Sequence, residues 1–216
     1  EIMDLRMTPL SYMFRTFHRT IRDLSSKANK DVTLEIRGED TMLDKSIIDK
    51  MKTPLIHLIR NAVDHGIEST ARRETLGKPT AGNILLEGYK EGALVIIKIT
   101  DDGAGIHLGD VKARILEKNL LSEEALNLLD ESQLLSYLFT PGFTTKKDVS
   151  DISGRGVGLD VVYEAITKMK GVIEISSKEN VGTEFTVKLP LTLAITDNLL
   201  VTVSNDTFAI PIDTIV

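Results

Sequence analysis

Residues 83–89 and 93–100, joined through Glu91 and Gly92, constrain this chain more than any other stretch. Their apolar and β-branched residues read as the two strands of a hairpin. A lone hairpin is unstable in water, so it calls for further strands and a covering layer. The rest of the sequence supplies both. Residues 32–36 alternate like a strand, and 172–176 and 184–189 read as two more. Tyr12, Met13, Phe14, Phe17, Ile21 and Leu24 recur at helical spacing after Pro9, which suits a helix start. Leu43, Ile47, Ile48 and Met51 predict a helix over 42–52, and Thr53 and Pro54 read as the N-cap and first residue of the next one, stopped by Gly66. A further helix is expected from Leu159 to about Met169. Helices and mostly antiparallel strands fall in segregated runs, which predicts a two-layer α/β sandwich: a mixed, mostly antiparallel sheet with helices on one face.

The 216 residues suffice for one domain plus a piece of another. No apolar run approaches the roughly 20 residues of a membrane-spanning helix, and no signal peptide is visible, so direct membrane insertion is not expected. With no cysteine, disulfides and thiolate metal sites are excluded and the cytoplasm is the simplest location. A net charge of -6 argues against non-specific nucleic-acid binding, which rests on Lys and Arg neutralising phosphates. Beyond Leu191 the composition turns all-β, as at the start of a second domain, and the last residues still read as extended apolar chain, as in a piece of a longer protein.

Four segments carry candidate chemistry. On the helix over 55–65, His57, Asn61, Asp64 and His65 share one face, with Leu55, Leu58, Ile59 and Ala62 opposite. That stripe is either the solvated side of the helix or a binding face. Two His with an Asp also fit zinc, but the His pair is eight apart and no HExxH pattern exists. A neutral Asn at the centre favours a harder cation such as Mg2+, with phosphates and waters completing its shell. In Ile99-Thr100-Asp101-Asp102-Gly103-Ala104-Gly105-Ile106 a strand runs into an acidic turn. There glycines allow close backbone approach and a carboxylate can accept a hydrogen bond from a base amino group, although many surface turns share that composition.

Gly154-Arg155-Gly156-Val157-Gly158-Leu159-Asp160 places three alternate glycines before a helix, aiming N–H groups and the positive dipole end at a phosphate or simply making a tight helix start. It lacks both the Gly-Lys-Ser/Thr ending of a P-loop and the Rossmann spacing. Between these two glycine segments lies Phe139-Thr140-Pro141-Gly142-Phe143-Thr144-Thr145-Lys146, whose aromatics either tuck into the core or belong to a lid over a ligand.

In order and spacing the four segments resemble the N box, first G box, F box and second G box of the GHKL superfamily. The stretches 57–68, 139–145 and 153–162 are similar in wording to the chemotaxis histidine kinases of the CheA family, and Leu189-Pro190-Leu191-Thr192-Leu193-Ala194-Ile195 resembles that family's junction with its regulatory domain. The resemblance implies residues 1–8 as the tail of a dimerisation region or linker, 9–190 as an ATP-binding catalytic domain and 191–216 as the start of an SH3-like, CheW-binding domain.

The same resemblance implies ATP and Mg2+, with Asn61 the metal ligand, Asp101 the acceptor for the adenine amino group, and Gly103 and Gly105 the turn beside the base. Gly154, Gly156 and Gly158 would border the phosphates, Asp64 and His65 contact the nucleotide, and Phe143, Thr144 and Lys146 lie in the lid. His57 stands where other histidine kinases carry Glu and is the candidate for orienting or deprotonating an incoming imidazole. The implied activity is transfer of the γ-phosphoryl group to a histidine on a separate phosphotransfer domain of the same protein. A CheW-like coupling protein, chemoreceptors, a downstream response regulator and a homodimer in the full-length protein are the implied partners. A GHKL-type ATPase and a non-catalytic ATP-binding signalling module are the alternatives. His18, where relatives often carry proline, and His107 lie outside any acceptor motif, so the acceptor is expected in trans.

Overall fold

The computed structural model describes residues 6–143, 158–191, 198–203 and 206–211. Among these the strands are β1 (Met7–Pro9), β2 (Val32–Arg37), β3 (Met42–Asp44), β4 (Gly82–Glu91), β5 (Leu94–Asp101), β6 (Val172–Lys178), β7 (Gly182–Pro190), β8 (Asn198–Val203) and β9 (Asp206–Pro211). The helices are α1 (Ser11–Ala28), α2 (Lys45–Asn61), α3 (Thr70–Thr75), α4 (Leu108–Glu117), α5 (Glu123–Leu126), α6 (Glu131–Ser136) and α7 (Leu159–Lys168). A five-stranded sheet runs in the order β2-β4-β5-β7-β6, parallel between β2 and β4 and antiparallel elsewhere. Strands β1 and β3 pair separately as a short ribbon, and β8 and β9 as a hairpin.

Side-chain alternation divides the sheet into two faces. Ile84 and Leu86 of β4, Val95, Ile97 and Ile99 of β5, and Phe185, Val187 and Leu189 of β7 are buried in one apolar cluster. The opposite face carries ion pairs around a buried Ile96, with Lys98 paired to Glu184 at 3.0 Å and Lys188 to Glu174 across neighbouring strands. Helices α1, α2 and α7 cover the apolar face: Phe14, Phe17 and Ile21 from α1, Ile47, Met51, Leu55 and Leu58 from α2, and Val162 and Ile166 from α7. α2 packs between α1 and α7. The two-layer sandwich and its hairpin thus match the sequence expectation.

The region before Gly66 departs from it. Met42 begins a strand, Pro9 pairs with it in β1, and α1 starts at Ser11. Thr53 caps nothing, because α2 is one helix from Lys45 to Asn61 with Pro54 buried inside it. The helix starts at Asp44, whose carboxylate accepts the Ser46 N–H at 2.7 Å. Proline removes one helical hydrogen bond and costs about 3 kcal/mol in a helix interior. The apolar stripe of Ile47, Ile48, Met51, Leu55, Leu58 and Ile59 continues across it, and burying such side chains stabilises by roughly 1.5–3 kcal/mol each. Packing therefore wins over the local stop signal.

Beyond Asn61 the chain makes a π-helical turn, Ala62–Gly66, closed by the Ile67 N–H donating to the Ala62 carbonyl at 2.7 Å. Lys30 Nζ donates to the Val63 and Asp64 carbonyls at 2.7 and 3.0 Å, a cation where the helix dipole is negative. Asp44→Ala should cost about 1 kcal/mol through loss of the cap, and Asp44→Ser, which keeps an acceptor, should recover most of it. Urea denaturation followed by circular dichroism checks both.

Candidate nucleotide site

The alternation that sends Val95, Ile97 and Ile99 into the core does not stop at the end of β5; the next inward position is Asp101. Its register partners are Ile84 on β4 and Thr183 on β7, and it is 5 % exposed. Burial pushes its carboxyl up to about 6, and the nearby charges of Asp102 and Glu68 push the same way, against hydrogen bonds from the Gly103 and Thr183 backbones. The Gly103 N–H donates to Asp101 Oδ1 at 3.0 Å.

Glycines shape the turn that follows, and the neighbour they admit is protein backbone. A side chain on Gly103 would sit 2.2 Å from the Gly66 carbonyl oxygen, and one on Gly105 the same distance from that of Lys178. Gly105 also has φ +70°, a conformation that favours glycine. The Ala104 N–H donates to Gly66 at 2.8 Å, and the Ala104 carbonyl accepts from Asn180 at 2.7 Å. The turn is thus wedged between the end of α2 and the β6–β7 connection. Gly66 lets the helix end lie on the carboxylate: a Cβ there would be 3.0 Å from Asp101 Oδ1.

A cavity of about 280 Å³ opens at this junction. Ile106, Leu138, Phe143, Leu159 and Phe185 give it apolar walls, and Asn61, His65, Asp101 and Thr183 supply side-chain polar groups. Gly66, Gly105 and Gly158 contribute backbone. Apolar walls beside a buried carboxylate suit a heteroaromatic base that presents an amino donor. Gly158 is also the N-cap of α7, and Asp160 in the first turn accepts from Val161 at 2.9 Å. Asp160 also accepts from the Gly142 N–H at 3.3 Å. This ties the Thr140-Pro141-Gly142-Phe143 turn, closed by Phe143 donating to Thr140 at 3.0 Å, to the start of α7.

The cavity therefore unites Asn61, His65, Asp101, Gly105, Phe143 and Gly158 of the sequence-derived set. His57, Asp64 and Gly103 are not in its lining. His57 lies one turn before Asn61 on the same helical face, half-buried, and burial, then the nearby Arg60 charge, hold its imidazole below its usual range. Asp64 is exposed on the π-helical turn, and Gly103 lies behind the cavity against Gly66. Thr144, Lys146, Gly154 and Gly156 lie outside the described residues. His18 is exposed on α1, and exposed His107 precedes α4 beside Asp110 at 3.4 Å.

The sequence reading missed Thr183, a polar residue at an inward position of a strand that otherwise sends Phe185, Val187 and Leu189 inward. It also missed a buried ionic cluster around Arg73, fully enclosed with Glu68 at 3.0 Å and Asp102 at 2.7 Å. The only local hint was the density of charges in a stretch that reads as a polar connection.

Asp101 has its carboxyl raised from 3.8 to about 6, so the folded chain holds its proton more tightly than the unfolded one. Its contribution to stability is greatest below 3.8 and falls as pH rises to about 6, by about 3 kcal/mol at 1.4 kcal/mol per unit. Asp101→Asn should remove that fall. Its melting temperature relative to the parent chain should rise between pH 4 and pH 7, which calorimetry across that range reads directly.

Residues 50–193 match the family described as histidine kinase-, DNA gyrase B-, and HSP90-like ATPase. The chain is 42% identical over 215 residues to the chemotaxis protein CheA of Bacillus subtilis, covering 100% of this chain and 32% of that protein. It is 45% identical to the sensor histidine kinase CheAY of Helicobacter pylori, covering 99% and 27%. It is 43% identical to CheA of Borreliella burgdorferi, covering 100% and 25%. The chain thus spans a third or less of the length of these relatives. Among solved structures, the catalytic domain of histidine kinase ThkA superposes with a TM-score of 0.51 at 22% identity, covering 86% of this chain and 95% of that one. Acinetobacter baumannii histidine kinase AdeS gives a TM-score of 0.51 at 19% identity, covering 86% and 66%, so both share the fold. By the match over residues 50–193 and by its identity to these relatives, the chain belongs to the histidine kinase-, DNA gyrase B-, and HSP90-like ATPase family.

Proposed function

We propose that this chain is the ATP-binding catalytic part of a chemotaxis histidine kinase. It would bind Mg-ATP and transfer the γ-phosphoryl group to a histidine on a separate phosphotransfer domain of the same protein. The observation that carries the reading is the buried Asp101 carboxylate sharing one apolar-walled cavity with Asn61 and the start of α7. Asp101 accepts a hydrogen bond from the adenine amino group, and the apolar walls hold the ring. The N-terminus of α7 faces the phosphates with its positive dipole end. In this reading His65 and Asp64 contact the nucleotide, and Phe143 lines the cavity beside the base.

No group of three or more His, Asp or Glu is placed to hold a metal ion among the described residues. In this reading Asn61 Oδ1 would be the protein oxygen on the ion, with phosphates and waters completing its shell. Bound there, Mg2+ would neutralise charge on the phosphate oxygens. In the transfer itself an acceptor imidazole nitrogen forms a bond to the γ-phosphorus as the bond to the β-phosphate oxygen breaks and ADP departs. The lowered imidazole of His57 is neutral near pH 7, the form able to orient the incoming ring or take its proton.

Residues 9–190 form the catalytic unit in this reading, after a dimerisation tail or linker over 1–8, and 191–216 begin the regulatory domain that engages a CheW-like protein and chemoreceptors. Phosphate then passes to a response regulator in the cytoplasm, and the full-length protein works as a homodimer. No helix among the described residues is long and apolar enough to cross a membrane.

Radiolabelled ATP, this chain and a phosphotransfer domain should together yield acid-labile phosphohistidine; phosphate release without an acceptor would instead favour an ATPase. His57→Gln should slow transfer by about tenfold or more while leaving ATP affinity within about twofold. Loss of binding and rate together would remove His57 from the transfer step.

A further inference from the structure

Behind the Asp101 turn, four charged residues outside the cavity lining meet in a compact cluster. Arg73 is fully enclosed and grips the Asp102 carboxylate with both terminal nitrogens, at 3.2 and 2.7 Å. It also reaches Glu68 at 3.0 Å and donates from Nε to the Pro79 carbonyl at 2.6 Å. Lys78 Nζ donates to Glu68 at 2.7 Å and to the carbonyls of Asp102 and Gly103 at 2.9 and 2.7 Å. Two cations thus balance two carboxylates. Burial pushes the Glu68 carboxyl up, but hydrogen bonds from Lys78, its own backbone and Arg73 bring it below its usual range.

The cluster converges on the acidic turn. Lys78 holds two successive carbonyls of residues 102–103, Arg73 holds the side chain of 102, and the N–H of 103 holds the Asp101 carboxylate. We propose that Lys78 and Arg73 are positioning residues that set the adenine selectivity of the site by fixing the backbone on which Asp101 is carried. The inference rests on the assignment of Asp101 to the adenine amino group. A buried ion network that only stabilised the fold would change affinity for all nucleotides alike. One that aims a carboxylate must change the distinction between bases that do and do not offer it a donor.

ATP and ITP make that distinction, since hypoxanthine carries a carbonyl where adenine carries the amino group. Titration calorimetry of the chain with each, in magnesium, should give a preference for ATP of about tenfold or more, as expected for losing a hydrogen bond to a charged acceptor. Lys78→Met, which keeps the aliphatic stem, and Asp102→Asn, which keeps the shape, should each lower the ATP-to-ITP ratio at least about threefold. Lys78→Arg should restore much of it. Ile21→Ala, a core truncation on α1, lowers the melting temperature without touching the cluster and should keep the ratio. A wild-type ratio retained in Lys78→Met or Asp102→Asn, or an equal loss of both affinities, overturns the inference and leaves the Asp101 assignment standing. A parent chain that binds ATP and ITP equally overturns that assignment and this inference with it.

Discussion

A carboxylate buried at the end of an apolar strand is costly to keep ionised, and much of this molecule is arranged around that cost. Asp101 is directed inward by the same two-residue alternation that builds the core from Val95, Ile97 and Ile99, so packing β5 also draws its carboxylate into the interior. Two backbone N–H groups from Gly103 and Thr183 offset part of the desolvation, and the carboxyl remains raised. A ligand donor placed against it would supply what the protein leaves incomplete. In this sense the site is a shortfall of solvation, and affinity follows from relieving it.

The neighbouring charges are handled differently. Arg73, Glu68, Lys78 and Asp102 satisfy one another and the carbonyls around them, with Arg73 wholly removed from solvent. Removing one partner from such a group leaves an uncompensated buried charge, which makes the arrangement rigid without making it reactive. A closed network thus lies directly behind an open acceptor. The contrast between them separates the part of the turn that holds still from the part that binds.

Local period and turn chemistry made much of this legible in the sequence. The hairpin of β4 and β5, the strands β6 and β7, the helix after Gly158 and the segments that meet at the cavity all carry short-range signals. What stayed hidden depended on partners distant in the chain. Pro54 reads as a helix start, yet the buried stripe on both sides of it keeps α2 continuous. The shared face of His57, Asn61, Asp64 and His65 follows from helical spacing, but which of them border a cavity depends on where Phe185, Leu138 and Gly105 arrive from elsewhere. Thr183 gains its meaning only from the register that sets it opposite Asp101, and Arg73 only from the fold that encloses it.

The parallel pairing of β2 with β4 requires the intervening chain to cross the sheet, and α2 lies within that crossing. The residues that border the cavity accordingly span from Asn61 to Phe185, drawn from the crossing segment, two inner strands, the turn after β5, the 138–143 stretch and the start of the helix before β6. No half of the domain contains the whole site, which is complete only when these long-range pairings are made. Occupancy is therefore linked to the folding equilibrium of the entire sheet-and-helix unit. A bound nucleotide would raise the stability of β2 as much as that of the turn it touches, by an amount that grows with the logarithm of its concentration over its dissociation constant.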